Sequence, residues 1–359
     1  MRTIEPSTPP PAERPLSSGN RLYFLDALAG LLILRVITLH SLSNYLIVGT
    51  AGSPDMLLHG GWCRLIDSLL RFSVPGFVCI SGIKFGLKLR RGGYPGYGVF
   101  ARQRLDRILR PYLLFSGLYI ITGELLHLLN HYLPWGFTGL HVDAPGTLLW
   151  MVLGPRNPGY QLWFLVMLLM INLLYPPWRE TLSASSLRLV IAGVLYAYSC
   201  FHHLPYPLHY LRYMVFYDGG AILAPHLHQL QRTRNRWLAI APVLVTLSGI
   251  ALRVQATQRV ILQAGDLLIE SSLPFTLVAV CAAWGINRGP RPLIWLGGLA
   301  WPLYLLHEPF ILSHLAQVLY SGFDFIHPLD VPVLAVATLI CSTIGIFILK
   351  SNPVTRRLF

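Results

Sequence analysis

Charge is scarce in this chain. Only 12% of its 359 residues are Asp, Glu, Lys or Arg, roughly half the share of an average soluble domain. Against that, 54% are hydrophobic, and the mean hydropathy is +0.54. The shortage excludes an ordinary soluble enzyme and points to a polytopic membrane protein. Negative charge is scarcer still, with 15 acidic residues against 28 Lys and Arg for a net charge of +13. Nucleic-acid binders gather such an excess on a folded surface with groove-reading elements. Here it falls between apolar runs, as the loop charge of a membrane protein does, so no nucleic-acid partner is expected. Cysteine is also rare. Cys63, Cys79, Cys200, Cys281 and Cys341 form no C-x-x-C motif and no Cys/His pair at metal spacing. They therefore predict no metal site and identify no redox compartment. No internal repeat is visible, which disfavours repeat-built transporter folds.

What the chain has in abundance is long apolar runs. A spanning helix needs about 20 mainly apolar residues, and ten stretches meet or approach that: 22–48, 64–87, 111–132, 160–177, 186–203, 206–228, 236–254, 266–287, 294–320 and 331–350. Cytoplasmic loops of membrane proteins are enriched in Lys and Arg. With the N-terminus inside, four arginines (Arg64, Arg156, Arg253, Arg259) fall outside and three (Arg35, Arg71, Arg212) fall within spans. The other 21 of the 28 basic residues fall on the cytoplasmic side. The expected fold is therefore an all-α polytopic integral membrane protein of about ten transmembrane helices with both termini cytoplasmic. Residues 1–20, rich in Pro and Ser, read as a disordered cytoplasmic tail. They do not read as a signal peptide, because the following run is too long and lacks a small-residue cleavage pattern. Residues 21–359 read as a single membrane domain. The most basic stretch, "KLRRGGYPGYGVFARQRLDRILRP", carries Arg102, Arg104, Arg107 and Arg110. It suits either attraction to anionic membrane lipid or an anion site for a phosphate-bearing cosubstrate from the cytosol.

Ionisable groups at membrane depth are costly and usually face a cavity or a partner. "FLDALAGLLILRVITLHS" keeps Asp26, Arg35 and His40 in an otherwise apolar run. Arg35 and His40 stand about 140° apart around a helix, so they do not share a face. The second stretch carries Asp67, Arg71 and Ser81, and the third carries Glu124 and His127. Further along come Arg212 and Asp218, then Asp266 and Glu270, then His307 and Glu308 in "LYLLHEPF". Asp67 and Arg71, four apart, could simply neutralise each other. His40 and His307 lie well inside apolar runs, and histidine can act as a base near neutral pH. Two such histidines with several arginines point to a polar reaction chamber or conduit.

Five segments together resemble the membrane-bound acyltransferase-3 family, whose members O-acylate bacterial surface polysaccharides and related acceptors. "LDALAGLLILRVITLHS" is similar to its first-helix motif, and "RFSVPGFVCISGIKFGLKL" to its second-helix block with an Arg before Pro and Ser-Gly. "RQRLDRILRPYLLFSGLYI" resembles its basic segment, "YQLWFLVMLLMINLL" its Trp-Phe-Leu helix start, and "GGLAWPLYLLHEPFI" its late Tyr-x-x-His-x-Pro helix. The likeness runs from about residue 22 to 350. One departure stands out: the family places an Arg or Lys eleven residues before the first-helix histidine, where this chain has Ala29.

The resemblance implies an acyl donor, usually acetyl-CoA, as cosubstrate from the cytosol, with no bound cofactor. It implies an acceptor hydroxyl on the extracytoplasmic side of a cell inner membrane. His40 would be the base, Asp26 an orienting or structural group, and Arg35 or Arg71 the oxyanion's positive charge. Arg102, Arg104, Arg107 and Arg110 would draw the CoA phosphates. Ser81, Trp163, Tyr304, His307 and Glu308 would line the chamber on the acceptor side. The acceptor is expected to be a glycan or lipid-linked precursor, with a polysaccharide synthesis complex as a possible partner. Two rival readings use the same polar residues: an exporter of glycans or lipid-linked precursors, and a non-catalytic subunit of a synthesis complex.

Overall fold

The computed structural model describes residues 22–44, 72–132, 160–202, 204–227, 229, 237–255, 258–283, 290–322, 330–353 and 355–358. The N-terminal tail, the 133–159 loop, Cys63, Asp67 and Arg71 lie outside these residues, as does the His127 side chain. Among the described residues every regular element is helical. They are α1 (Tyr23–Asn44), α2 (Ser73–Arg90), α3 (Tyr97–Arg104), α4 (Arg110–Tyr132), α5 (Trp163–Thr181), α6 (Ser185–Phe201) and α7 (Met214–Leu223). Then follow α8 (Trp237–Gln255), α9 (Arg259–Ala283), α10 (Arg291–Leu306), α11 (Leu312–Gly322) and α12 (Asp330–Ser351). A π-helical turn, Leu105–Leu109, joins α3 to α4, and a second, His307–Ile311, joins α10 to α11. Each apolar stretch read from the sequence is helical over most of its described length. Three of the described helical runs, Tyr23–Ser43, Val260–Ala282 and Asp330–Ser351, are long and apolar enough on their own to cross a membrane.

The helices turn large apolar side chains outward as well as inward. On α12, Val333, Val336, Ile340, Ile344 and Phe347 are exposed, at the three- and four-residue spacing of one helix face. Leu114, Leu118, Ile121, Leu125 and Leu128 make a similar stripe on α4. Faces of this kind suit hydrocarbon, where every backbone group is already satisfied within its helix. Inside, Phe24, Leu32, Ile33, Ile37, Val78, Ile83, Leu165, Phe216, Tyr217 and Leu303 form one buried core.

Glycine sets how closely the central helices approach, since hydrocarbon offers helices little hydrophobic drive to associate and leaves close packing to do it. A Cβ at Gly30 would collide with the Leu293 carbonyl on α10, and one at Gly297 with the Asp26 carbonyl on α1. Gly82 and Gly220 stand in the same relation between α2 and α7, against Tyr217 and Cys79 carbonyls. Two tightly packed pairs, α1 with α10 and α2 with α7, thus frame the molecule. A buried charge pair anchors α7 to further helices. Arg188 Nε donates to both Asp218 oxygens at 3.2 Å, and Tyr175 Oη donates to the same carboxylate at 2.6 Å. Arg188, which reads as loop charge in the sequence, is buried and ties α5, α6 and α7 together.

Candidate active site

The site begins with a proline. Pro309 has no N–H to give the Leu305 carbonyl four residues earlier, and it disfavours helical geometry at the residue before it. Glu308 accordingly adopts φ −145° and ψ 143°, an extended break inside an otherwise helical run. The carbonyls thereby exposed are satisfied from α4: Tyr119 Oη lies 2.8 Å from Leu305 O and 2.7 Å from Glu308 O. Gln161 Nε2 donates to the same hydroxyl at 2.7 Å. The break therefore does not fray. It holds the Glu308 side chain toward α1.

There the carboxylate meets His40. His40 Nδ1 is 2.7 Å from Glu308 Oε2, and Ser313 Oγ donates to Oε1 at 2.9 Å. The Glu308 side chain is 2% exposed and His40 19%, so the acid is buried while the imidazole stays open on one side. With Nδ1–H donating to the carboxylate, Nε2 is the basic nitrogen of His40, the arrangement in which a buried acid fixes a catalytic imidazole's tautomer. His307 packs against it, ring centroids 5.2 Å apart at 78°. Its Nδ1 lies 3.1 Å from Leu303 O and 2.9 Å from Tyr304 O, so Nδ1 carries the proton and Nε2 is an acceptor. That buried Nε2 has no hydrogen-bond partner among the described residues. The donor atoms of His40, His307 and Glu308 lie within 4.8 Å of one another, close enough to hold a divalent metal of the zinc type. The hydrogen bonds of Glu308 to His40 and Ser313 are the arrangement of a proton-transfer pair.

His40 opens into a cavity of about 780 Å³. Val36, Leu39, His40 and Ser43 line it from α1, the i, i+3, i+4, i+7 face of a helix. Across from them stand Trp163, Gln161, Arg212, Tyr213, Asp266 and Glu270. Arg212 donates to Tyr213 Oη at 2.7 Å, while its buried Nε has no partner among the described residues. Trp163 stacks on Tyr210 with centroids 5.9 Å apart and planes 14° from parallel, giving the cavity a rigid aromatic wall. Glu270 accepts from Tyr196 Oη at 2.8 Å.

A second cavity, about 550 Å³, has the opposite character. Four cations line it, Lys84 and Lys88 from α2 with Arg104 and Arg107 from the α3–α4 segment, together with Asp26, Ser81, Gln103 and Asn172. Lys84 Nζ stands 3.8 Å from Asp26 Oδ1. Burial pulls the Arg104 guanidinium below its ordinary pKa, and neighbouring Arg107 acts in the same direction. Four cations gathered in one cavity, Arg104 among them partly desolvated, favour an anionic ligand.

The residues singled out from the sequence divide among these places. His40, Trp163 and Tyr304 line the first cavity, while His307 and Glu308 back its histidine. Ser81, expected on the acceptor side, lines the basic cavity instead, as do Arg104 and Arg107. Arg102 and Arg110 are exposed, with Arg110 paired to Asp106 at 2.8 Å. Asp26 does not orient His40: the two stand fourteen residues apart, about 21 Å along α1, and Asp26 faces Lys84. Arg35 points off the cavity face, its guanidinium carbon 3.4 Å from the Phe72 ring centroid. Arg71 lies outside the described residues. Sequence reasoning missed Tyr119, Gln161 and Ser313 as supports of Glu308, and it counted Lys84 and Lys88 only as topology charge. Proline after Glu308 was the one available signal for the first group.

A family model described as an acyltransferase domain matches residues 22–350. No curated protein and no solved structure matches the chain.

Proposed function

The chain belongs to the acyltransferase 3 family, and on that premise we propose that it is a multi-pass O-acyltransferase of the cell inner membrane, with ten spans and both termini cytoplasmic. It moves an acyl group, acetyl in the simplest case, from cytosolic acyl-CoA to a hydroxyl of a cell-surface glycan or its lipid-linked precursor. The observation that best supports this reading is the pairing of two unlike cavities. One offers four cations to a phosphate-bearing donor, and the other offers a histidine backed by a buried carboxylate. Arg suits phosphate geometry and Lys supplies compact charge, so the basic cavity takes the CoA end.

The chemistry then follows from the His40–Glu308 pair. The acceptor O–H gives its proton to His40 Nε2 as its oxygen attacks the thioester carbonyl. A C–O bond forms, the C–S bond breaks, and the sulfur leaves as thiolate, taking the proton back from the imidazolium. Glu308 holds the ring and stabilises its charge between these transfers. Arg212 is the cation in the same cavity best placed to meet developing oxyanion charge, in the role first expected of Arg35 or Arg71. Trp163 offers a flat apolar surface to a sugar ring, while Asp266, Glu270 and Gln263 offer hydrogen-bond partners to its hydroxyls.

The test uses purified protein in detergent or lipid, incubated with acetyl-CoA and candidate glycan acceptors while free CoA is followed. His40→Ala should lower CoA release by about 10²-fold or more with an unchanged elution profile. Activity retained in that variant removes His40 from the mechanism. Absence of CoA release by the unmodified protein, with substrate flux instead, favours an exporter.

A further inference from the structure

His307 is fully buried in the π turn between α10 and α11, and half of its hydrogen-bonding capacity is unused. Its Nδ1 is taken by the Leu303 and Tyr304 carbonyls. Its Nε2, an acceptor, meets no hydrogen-bond donor among the described residues. A buried acceptor left unpaired costs stability, and acyl transfer through His40 gives that nitrogen no part. Beside it stands the His40–Glu308 pair. The ligand atoms of the three side chains lie within 4.8 Å of one another, and His40 Nδ1 is 2.7 Å from Glu308 Oε2. Two imidazoles and one carboxylate are a ligand set that binds zinc and leaves one position open. Tetrahedral zinc separates its nitrogen and oxygen ligands by about 3.3 Å. The separations in this cluster bracket that value, so turns of the side chains suffice to form the site. A metal can also reach it, since His40 lines the cavity of about 780 Å³.

Resting on the proposed acyl transfer, we propose that His40 Nδ1, His307 Nε2 and Glu308 Oε2 form a site for a divalent metal of the zinc class, and that the bound metal switches the enzyme off. The exchange balances without any further reactant. Zinc sheds water as it forms bonds to the two nitrogens and the carboxylate oxygen. At His40 Nδ1 it takes the place of the proton that otherwise points at Glu308. The imidazole stays neutral by carrying its one proton on Nε2 instead. Nε2 then has no lone pair to offer an acceptor hydroxyl, and Glu308 is committed to the metal rather than to the ring. The base of the proposed reaction is thereby turned into a donor. Magnesium favours an octahedron of oxygen ligands and keeps its waters, so it should neither bind here nor inhibit.

The experiment uses the full chain, purified without a polyhistidine tag, treated with EDTA and then freed of the chelator. Cobalt(II) stands in for zinc as the probe, because four-coordinate cobalt absorbs strongly in the visible where the hydrated ion barely does. One equivalent should develop these bands, zinc should abolish them, and magnesium should leave them unchanged. His307→Ala and Glu308→Gln should each weaken cobalt binding by about tenfold or more. Glu308→Gln keeps the side chain's shape, so the site is still tested if His307→Ala fails to assemble. Saturating zinc should nearly abolish CoA release from acetyl-CoA, and EDTA should restore it. No cobalt bands in the unmodified protein, or unchanged binding in both variants, overturns the site. Undiminished CoA release with zinc bound, or release that requires zinc, overturns the inhibition. CoA release absent both with and without zinc overturns instead the acyltransferase reading on which the inhibition rests, and the cobalt titration still decides the site.

Discussion

Glu308 serves the imidazole as a charged acceptor, held by His40 on one oxygen and Ser313 on the other. Glu308→Gln keeps the shape, removes the charge and can present an N–H where His40 needs an acceptor. It should lower kcat by about 10²-fold or more with little change in KM for acyl-CoA, read by initial rates of CoA release. Ser313→Ala removes a hydrogen bond to the same carboxylate and should cost less, about 1 kcal/mol. Tyr119→Phe acts differently. It strips the hydroxyl from carbonyls that Pro309 leaves exposed, so stability should fall by about 1–3 kcal/mol, measured by thermal unfolding in detergent. At this scale the sequence was informative where chemistry is rare. A histidine deep in an apolar run is conspicuous, and so is a His-Glu-Pro triplet. Tyr119 and Gln161 were not, because a tyrosine within an apolar helix and a glutamine at a helix start are common and only the fold shows which groups they reach. Arg35 is a different case: its charge drew notice, and its place on the helix directs it to Phe72.

At the scale of elements, close helix approach and one helix break carry the site. Gly30→Val should force α1 away from α10 and abolish the monodisperse folded protein. Gly117→Ala, where an added Cβ meets nothing within 4 Å, should leave it unchanged; size-exclusion profiles after extraction separate the two. Pro309→Ala restores the N–H that Leu305 O lacks and relaxes the constraint on Glu308. Continuing the helix would carry the carboxylate away from His40, so activity should fall while the protein still assembles. The ten apolar stretches announced helices because hydrocarbon allows few alternatives. Their interruptions were harder to read. The break at Glu308 sits inside the stretch 294–320, where apolar content hides it and only Pro309 hints at it. The pairing of α1 with α10 and α2 with α7 joins segments remote in the chain, which periodicity within a single segment cannot reveal.

For the whole molecule, the account requires that the basic cavity face the cytosol and the histidine cavity face outward. Replacing Arg104 and Arg107 together by Gln should raise KM for acyl-CoA with a smaller effect on kcat, and should weaken the dependence of KM on salt. The positive charge of the α3 segment was plain in the sequence, but its division was not. Arg104 and Arg107 line the cavity while Arg102 and Arg110 do not, and Arg102 and Arg104, two residues apart on α3, fall on different faces of that helix. The most direct measurement seals a soluble glycan acceptor inside proteoliposomes and supplies labelled acetyl-CoA only outside. Molecules with their basic cavity outward should acetylate the enclosed acceptor while free CoA appears outside, and His40→Ala should stop both. Acetylation confined to acceptor on the same side as acetyl-CoA, with none enclosed, would contradict transfer between the two cavities.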